Sequence, residues 1–187
     1  MMQQTVTVIL KAFLYQQYNK GENKMKFAKI RDVKSPCRGT SKSAGIDFFV
    51  PNYSEEFLKI FQEKNPACSN DNEGFCVRPH SRVLIPSGIK CAVPEGYGLI
   101  AFNKSGIFTK FGLCVGACVV DSDYTGEIHI SLFNSTEDKV KILWGQKIIQ
   151  FLLVPIFFDD IKEVNIDNLF INFESERKDG GFGSTGI

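Results

Sequence analysis

Several short stretches of this sequence combine side chains that do chemistry with residues that leave room for a ligand. In Arg177-Lys-Asp-Gly-Gly-Phe-Gly-Ser-Thr-Gly, glycines can turn successive backbone N–H groups toward an anion, and Ser184 and Thr185 add hydroxyl donors. The stretch ends without the Gly-Lys-Ser/Thr of a Walker A loop. Its embedded Phe182 and leading Arg177 are residues that a plain glycine spacer does not need, so a segment that orders over a phosphate is expected. In Asp121-Ser-Asp-Tyr-Thr-Gly, Asp121 closes an apolar run, where a carboxylate is costly without a task or a partner. There it can take a proton from a water nucleophile. Tyr124 offers a flat face to a ring or sugar, or packs as an ordinary hairpin tyrosine. Asn103-Lys-Ser-Gly sets a cation and a hydroxyl beside a flexible residue, while Ala44-Gly-Ile-Asp and Gly145-Gln-Lys-Ile-Ile-Gln are weak signals alone.

The elements around these stretches are mostly strands. Short apolar runs at Ile46–Val50, Arg82–Ile85, Ile89–Val93, Tyr97–Phe102, Cys114–Val120, Glu127–Phe133, Val140–Leu143 and Lys147–Phe158 alternate with Gly and Pro. Glu127 onward alternates polar and apolar at the two-residue period of a half-buried strand. An all-β sandwich or barrel is expected. The Asp121 stretch reads as a hairpin with its turn at Asp123–Gly126. One interruption, Ser54 to Lys64, places Phe57, Leu58, Ile60 and Phe61 on a helical face behind Ser54 as N-cap. Asn65–Gly74 then reads as loop, so 54–76 is taken as an insertion holding a short helix. Residues 1–24 read as an extension ahead of a core starting at Met25.

The 187 residues are 43% hydrophobic and 23% charged, with a mean hydropathy of −0.07, which suits one soluble core. There is no apolar run of about eighteen residues to span a membrane. A formal charge of +1 argues against a broad nucleic-acid footprint. That charge is uneven: residues 1–94 hold 14 cations and 8 anions, residues 95–187 hold 8 and 13. Drift along a solvated surface accounts for this. Six cysteines (37, 68, 76, 91, 114 and 118) follow no secretory leader, so reduced thiols in a cytosolic or nuclear compartment are expected. Cys114 and Cys118 have no neighbouring pair to complete a zinc site.

Taken in order, AGIDFFVP at 44–51, NKSG at 103–106, VGACVVDSDYTGE at 115–127, GQKIIQ at 145–150 and RKDGGFGSTG at 177–186 resemble the trimeric dUTPase family (deoxyuridine triphosphate nucleotidohydrolases). The resemblance runs from about Met25 to the C-terminus and leaves out 54–76. It implies a jelly-roll-like antiparallel β domain, a homotrimer with sites at subunit interfaces, and Mg²⁺-assisted hydrolysis of dUTP to dUMP and pyrophosphate. Such an activity keeps uracil out of DNA and supplies dUMP for thymidylate synthesis. Asp121 would activate the attacking water with help from Gln150. Tyr124 would lie against the deoxyribose, and backbone groups of 115–121, Cys118 and Val120 among them, would read uracil. Phe182 would cover the ring. Lys104, Ser105, Gly106, Arg177, Gly183, Ser184 and Thr185 would hold the phosphates. Asp47 would meet the metal through water only, or serve a turn.

The sequence departs from the family pattern at several points. Lys104 stands where Arg is usual, which loses the bidentate fork. Gln146-Lys147 replaces Asp-Arg, which puts an ion pair there in question. Lys178 and Cys118 replace glycines, and Cys118 would narrow the base pocket. A dCTP deaminase-related enzyme, which would need a glutamate base near the pyrimidine, is one alternative. A dUTPase-like protein-interaction module is another.

Overall fold

Residues 24–176 and 178–180 are described in the computed structural model, where the short apolar runs form strands paired antiparallel throughout. In order these are β1 (Lys26–Lys29), β2 (Ile46–Phe49), helix α1 (Glu55–Lys64), β3 (Cys68–Asn70), β4 (Gly74–Val77), β5 (Arg82–Pro86), β6 (Ile89–Ala92) and β7 (Tyr97–Phe102). Helix α2 (Ser105–Phe111) follows, then β8 (Leu113–Val115), β9 (Val119–Val120), β10 (His129–Asn134), β11 (Val140–Leu143) and β12 (Lys147–Pro155). They assemble as β1-β6, β5-β10-β8, β11-β4-β3 and β2-β12-β7-β9. The all-β expectation therefore holds.

Alternation builds the core. Along β10 every second side chain turns inward, burying Ile130, Leu132 and Asn134. Phe48 and Phe151 meet across β2 and β12 with ring centroids 4.6 Å apart. A second aromatic cluster joins Phe61 to Phe75 at 4.9 Å and Phe75 to Trp144 at 5.4 Å. Burying an aromatic side chain of this size stabilises by about 2–3 kcal/mol, so the phenylalanines carry much of the cohesion.

The segment 54–76 is woven into that core. Ser54 caps α1, its hydroxyl accepting from the Phe57 N–H at 3.3 Å. Phe61 is buried, Phe57 and Leu58 are half-buried, and Ile60 stays exposed. The stretch expected as loop holds β3 and the start of β4, and β4 pairs with β11. Alternation was hard to see there because Cys68-Ser-Asn has little apolar contrast. Gly74 is required by packing: a Cβ would overlap the Ile142 carbonyl.

The run Cys114–Val120 also differs from expectation. It divides into β8, which pairs with β10, and β9, which pairs with β7. The hairpin arms therefore stay together only from Gly116 and Ser131 outward and then diverge. The turn falls at Asp121–Tyr124, whose ends are joined by the Tyr124 N–H to the Asp121 carbonyl, rather than at Asp123–Gly126. β12 stops at Pro155, short of Phe158, since proline ends the ladder.

Residues 157–180 form a separate unit. It contains helix α3 (Ile166–Leu169), capped by the Asn165 side chain, and a Phe170–Phe173 ring contact at 5.9 Å. Arg177, Phe182, Gly183, Ser184 and Thr185, and the front of the 1–24 extension, lie outside the described residues.

Candidate active site

The expected site residues that are described fall into two groups on one chain. The first surrounds Asp47, which sits within strand β2 rather than at a turn and is 4% exposed. Its Oδ1 pairs with Lys104 Nζ, and its Oδ2 lies 3.0 Å from Lys147 Nζ. The ion pair that the Gln146-Lys147 departure called into question is therefore present, made by Lys147. Burial works against ionisation of Asp47. Hydrogen bonds and charge from the two lysines outweigh it and hold the carboxyl below its ordinary 3.8.

Backbone structure fixes this group. Asp47 and Cys37 exchange N–H···O bonds, and Arg38 donates to the Ser43 carbonyl at 2.6 Å, pinning the loop ahead of β2. Lys104 occupies the N-cap of α2, so Ser105 and Gly106 supply leading N–H groups with no intrahelical acceptor. A Cβ at Gly106 would meet nothing within 4 Å; the space beside it is open. Gln150, opposite Asp47 in β12, donates its amide N–H to the Asn103 carbonyl at 2.8 Å. Gly45 closes on it from the other side, where a Cβ would overlap Gln150 Oε1. Two lysines on one aspartate leave a net positive charge beside these donors.

The second group lines a cavity of about 190 Å³ bounded by Ala117–Asp121, Tyr124, Ile128, His129 and Phe151. Cys118 and Val120 are half-buried here. Asp121 is exposed, not buried as its position at the end of an apolar run suggested; the run lines an open cavity, and Val119 is 60% exposed. Tyr124 is 43% exposed, and its hydroxyl donates to the Glu127 carbonyl at 2.9 Å. Its ring lies across Gly126, where a Cβ would overlap it, so the glycine is needed to seat the tyrosine.

Val119 is a residue that sequence reasoning did not single out. The Ala101 N–H donates to the Cys118 carbonyl at 2.7 Å, and Cys118 lies opposite Ala101 in the register that pairs Val119 with Ile100. Residues opposite one another alternate between bonded and non-bonded pairs. The main-chain groups of Val119 consequently point away from β7, to the free edge of the sheet, whereas the Cys118 carbonyl is already engaged. Only the register with β7 discloses this.

Asp121 and Gln150 lie apart within one chain. Val120 lies opposite Leu99, which carries Asp121 toward the Tyr97 end of β7, while Gln150 lies opposite Phe102 at the other end. Four residues of strand and two strand spacings separate them by roughly 16 Å. Among the described residues no group of three or more His, Cys, Asp or Glu side chains is placed to hold a metal ion, and no helix is long and apolar enough to cross a membrane. The six cysteines form no disulfide.

Comparison with known proteins places this geometry in a family. The dUTPase family model matches residues 71–186. A deoxyuridine 5'-triphosphate nucleotidohydrolase of Candida albicans is 37% identical over 154 residues, covering 82% of this chain and 81% of that protein. One from Hydrogenobaculum is 32% identical over 168 residues, covering 88% and 99%. A solved structure of Staphylococcus bacteriophage 80alpha dUTPase with dUPNHPP superposes with a TM-score of 0.64 at 21% identity, covering 88% of this chain and 99% of that one. On the family match and these relatives together, the chain belongs to the dUTPase family.

Proposed function

We propose that the protein hydrolyses dUTP to dUMP and pyrophosphate as a homotrimer whose sites are shared between chains. The observation that carries this is the separation of Asp121 from Gln150, roughly 16 Å by strand spacing, so these two converge on one substrate only if another copy supplies one of them. Open space beside Gly106 and exposed Val119 leave both groups free to receive a ligand.

In this reading uracil meets the free edge of β9, where the Val119 N–H and carbonyl can discriminate its hydrogen-bonding face from cytosine. Mismatched buried hydrogen bonds discriminate more strongly than the 1–3 kcal/mol or so available from excluding a thymine methyl by shape. The Tyr124 ring lies against the deoxyribose and leaves no room for a 2′-hydroxyl. Asp121 takes a proton from a water that Gln150 helps to hold. The water oxygen bonds to the α-phosphorus, the bond from that phosphorus to the α,β-bridging oxygen breaks, and pyrophosphate leaves with the electron pair.

Charge must be concentrated where the leaving pyrophosphate develops its own. Lys104, Lys147, the Ser105 and Gly106 N–H groups, Arg177 and the segment Phe182–Thr185 are assigned to that task. Both Asp47 oxygens are held by lysines, so Asp47 does not fit as a direct metal ligand. The residues present fit Mg²⁺ that arrives on the triphosphate and keeps its waters; bound there, it neutralises phosphate charge. Against the deaminase reading, the glutamate of this hairpin, Glu127, has its carboxylate taken by Arg31 and the Gly88 N–H.

The test is pyrophosphate release across a nucleotide panel. Turnover is expected to be fast with dUTP and Mg²⁺ and weak with dTTP, dCTP and UTP. Equal turnover of dCTP and dUTP would sink the assignment.

A further inference from the structure

The segment 54–76, which no part of the reaction above uses, is linked to the sugar-facing tyrosine by a closed ring of contacts. The Arg31 guanidinium lies 3.8 Å from the centre of the Phe57 ring on α1. Its far edge forks onto Glu127, Nε to Oε1 at 3.1 Å and Nη2 to Oε2 at 2.7 Å. The Gly88 N–H donates to the same carboxylate at 2.7 Å. Phe57 packs on Tyr53 at 4.9 Å, and the Tyr53 hydroxyl donates to the Pro86 carbonyl at 2.7 Å, just ahead of Gly88. Glu127 in turn accepts the Tyr124 hydroxyl on its carbonyl, along with a contact to His129 Nδ1 at 2.9 Å.

From this geometry we infer that Arg31, backed by Phe57, is a positioning residue for sugar selection. It touches no reacting atom. It fixes Glu127, and the peptide plane of Glu127 sets where the Tyr124 hydroxyl is anchored and so how the ring stands over Gly126. A planar guanidinium suits this task, because it can stack on an aromatic face and fork onto a carboxylate at once. The loop from Asp121 to Glu127 has few ladder bonds of its own; its turn bond and this clamp hold it. Helix α1 thereby acquires a task for which its sequence carries no motif. The inference rests on the proposed reading of Tyr124 as the residue that excludes a 2′-hydroxyl.

The experiment measures kcat/KM for dUTP and for UTP in the full-length protein and in Arg31→Gln, Phe57→Leu, Tyr124→Phe, Tyr124→Ala and the double variant Arg31→Gln/Tyr124→Phe. A displaced positioning group costs up to about a hundred-fold, so Arg31→Gln is expected to raise the UTP to dUTP ratio roughly ten-fold, chiefly through KM, and Phe57→Leu to raise it less. Tyr124→Phe, which keeps the ring and loses its anchor, should raise the ratio as well and add little to Arg31→Gln. General destabilisation scales both nucleotides alike and leaves the ratio unmoved. If Tyr124→Ala changes the ratio while Arg31→Gln and Phe57→Leu do not, the clamp is overturned and the tyrosine reading stands. If Tyr124→Ala leaves the ratio unchanged, the tyrosine reading fails and takes the clamp with it. Should Arg31→Gln not fold, Phe57→Leu decides the matter.

Discussion

The Lys147 ammonium lies 3.0 Å from Oδ2 of Asp47, on a carboxylate whose Oδ1 already pairs with Lys104. A buried aspartate with two lysines is a fixed element, and it bridges β2, the start of β12 and the N-cap of α2. Its depressed pKa makes a stability prediction with a definite sign. Stability from Asp47 is fully present above 3.8 and is lost as pH falls through the lower value it has in the fold. Asp47→Asn should destabilise the protein by about 2 kcal/mol near neutral pH, at the low end for a broken buried pair because both lysines can reach water. The acid limb below about pH 4 should also flatten. Thermal melts from neutral to acid pH check both; an unchanged acid limb would show that Asp47 does not carry the titration.

Gly45 makes a separate prediction about Gln150. A Cβ at Gly45 would overlap Gln150 Oε1, Cδ and Cβ, and the glutamine is also tethered to the Asn103 carbonyl. Gly45→Ala should therefore push Gln150 off its position and, through the overlap with Gln150 Cβ, press the loop away from β12. Under the proposed mechanism kcat falls about ten- to a hundred-fold at temperatures where the melt shows the protein still folded. Steady-state kinetics beside a melt distinguish this from unfolding, and a normal kcat would show that Gln150 does not help to hold the water.

Most of this site could be read from the chain, and the reasons for the remainder are local. Short apolar runs marked β7 and β11, and alternation marked β10 because it has one wet face and one dry face. β3 escaped because its short Cys-Ser-Asn run lacks that contrast. The Asp121 stretch was read as a plain hairpin because pairing between β9 and β7 depends on a partner some twenty residues away. The same non-local pairing hid Val119, whose value lies in main-chain direction and not in its side chain. Arg31 and Phe57 carry no motif at all; only the folded chain brings them to Glu127.

Asp121 should behave as a catalytic group and not as a binding group. It is exposed beside the cavity and holds no salt bridge in the described residues. Asp121→Asn keeps the shape and one acceptor oxygen while removing the base. Turnover should fall by roughly a thousand-fold, within the usual range for general acid–base catalysis, with nucleotide affinity close to wild type. Single-turnover kinetics and equilibrium titration with a non-hydrolysable dUTP analogue check the two halves. Lost binding with intact chemistry per bound nucleotide would reverse the assignment.

Sharing of the site between copies yields the most direct prediction. Gln150 lies opposite Phe102 and Val120 opposite Leu99 on one chain, so under the proposed shared site Asp121 and Gln150 come from different chains. Asp121→Asn and Gln150→Ala variants should each be nearly inactive as homo-oligomers. Unfolded together and refolded as a mixture, they should recover substantial dUTP hydrolysis, because some mixed sites take Asp121 from one variant and Gln150 from the other. Each variant refolded alone supplies the control. Recovery requires exchange of chains and should be absent when the preformed oligomers are simply combined. If co-refolded mixtures form mixed oligomers by mass yet stay inactive, both residues come from the same chain and the shared-site arrangement is wrong.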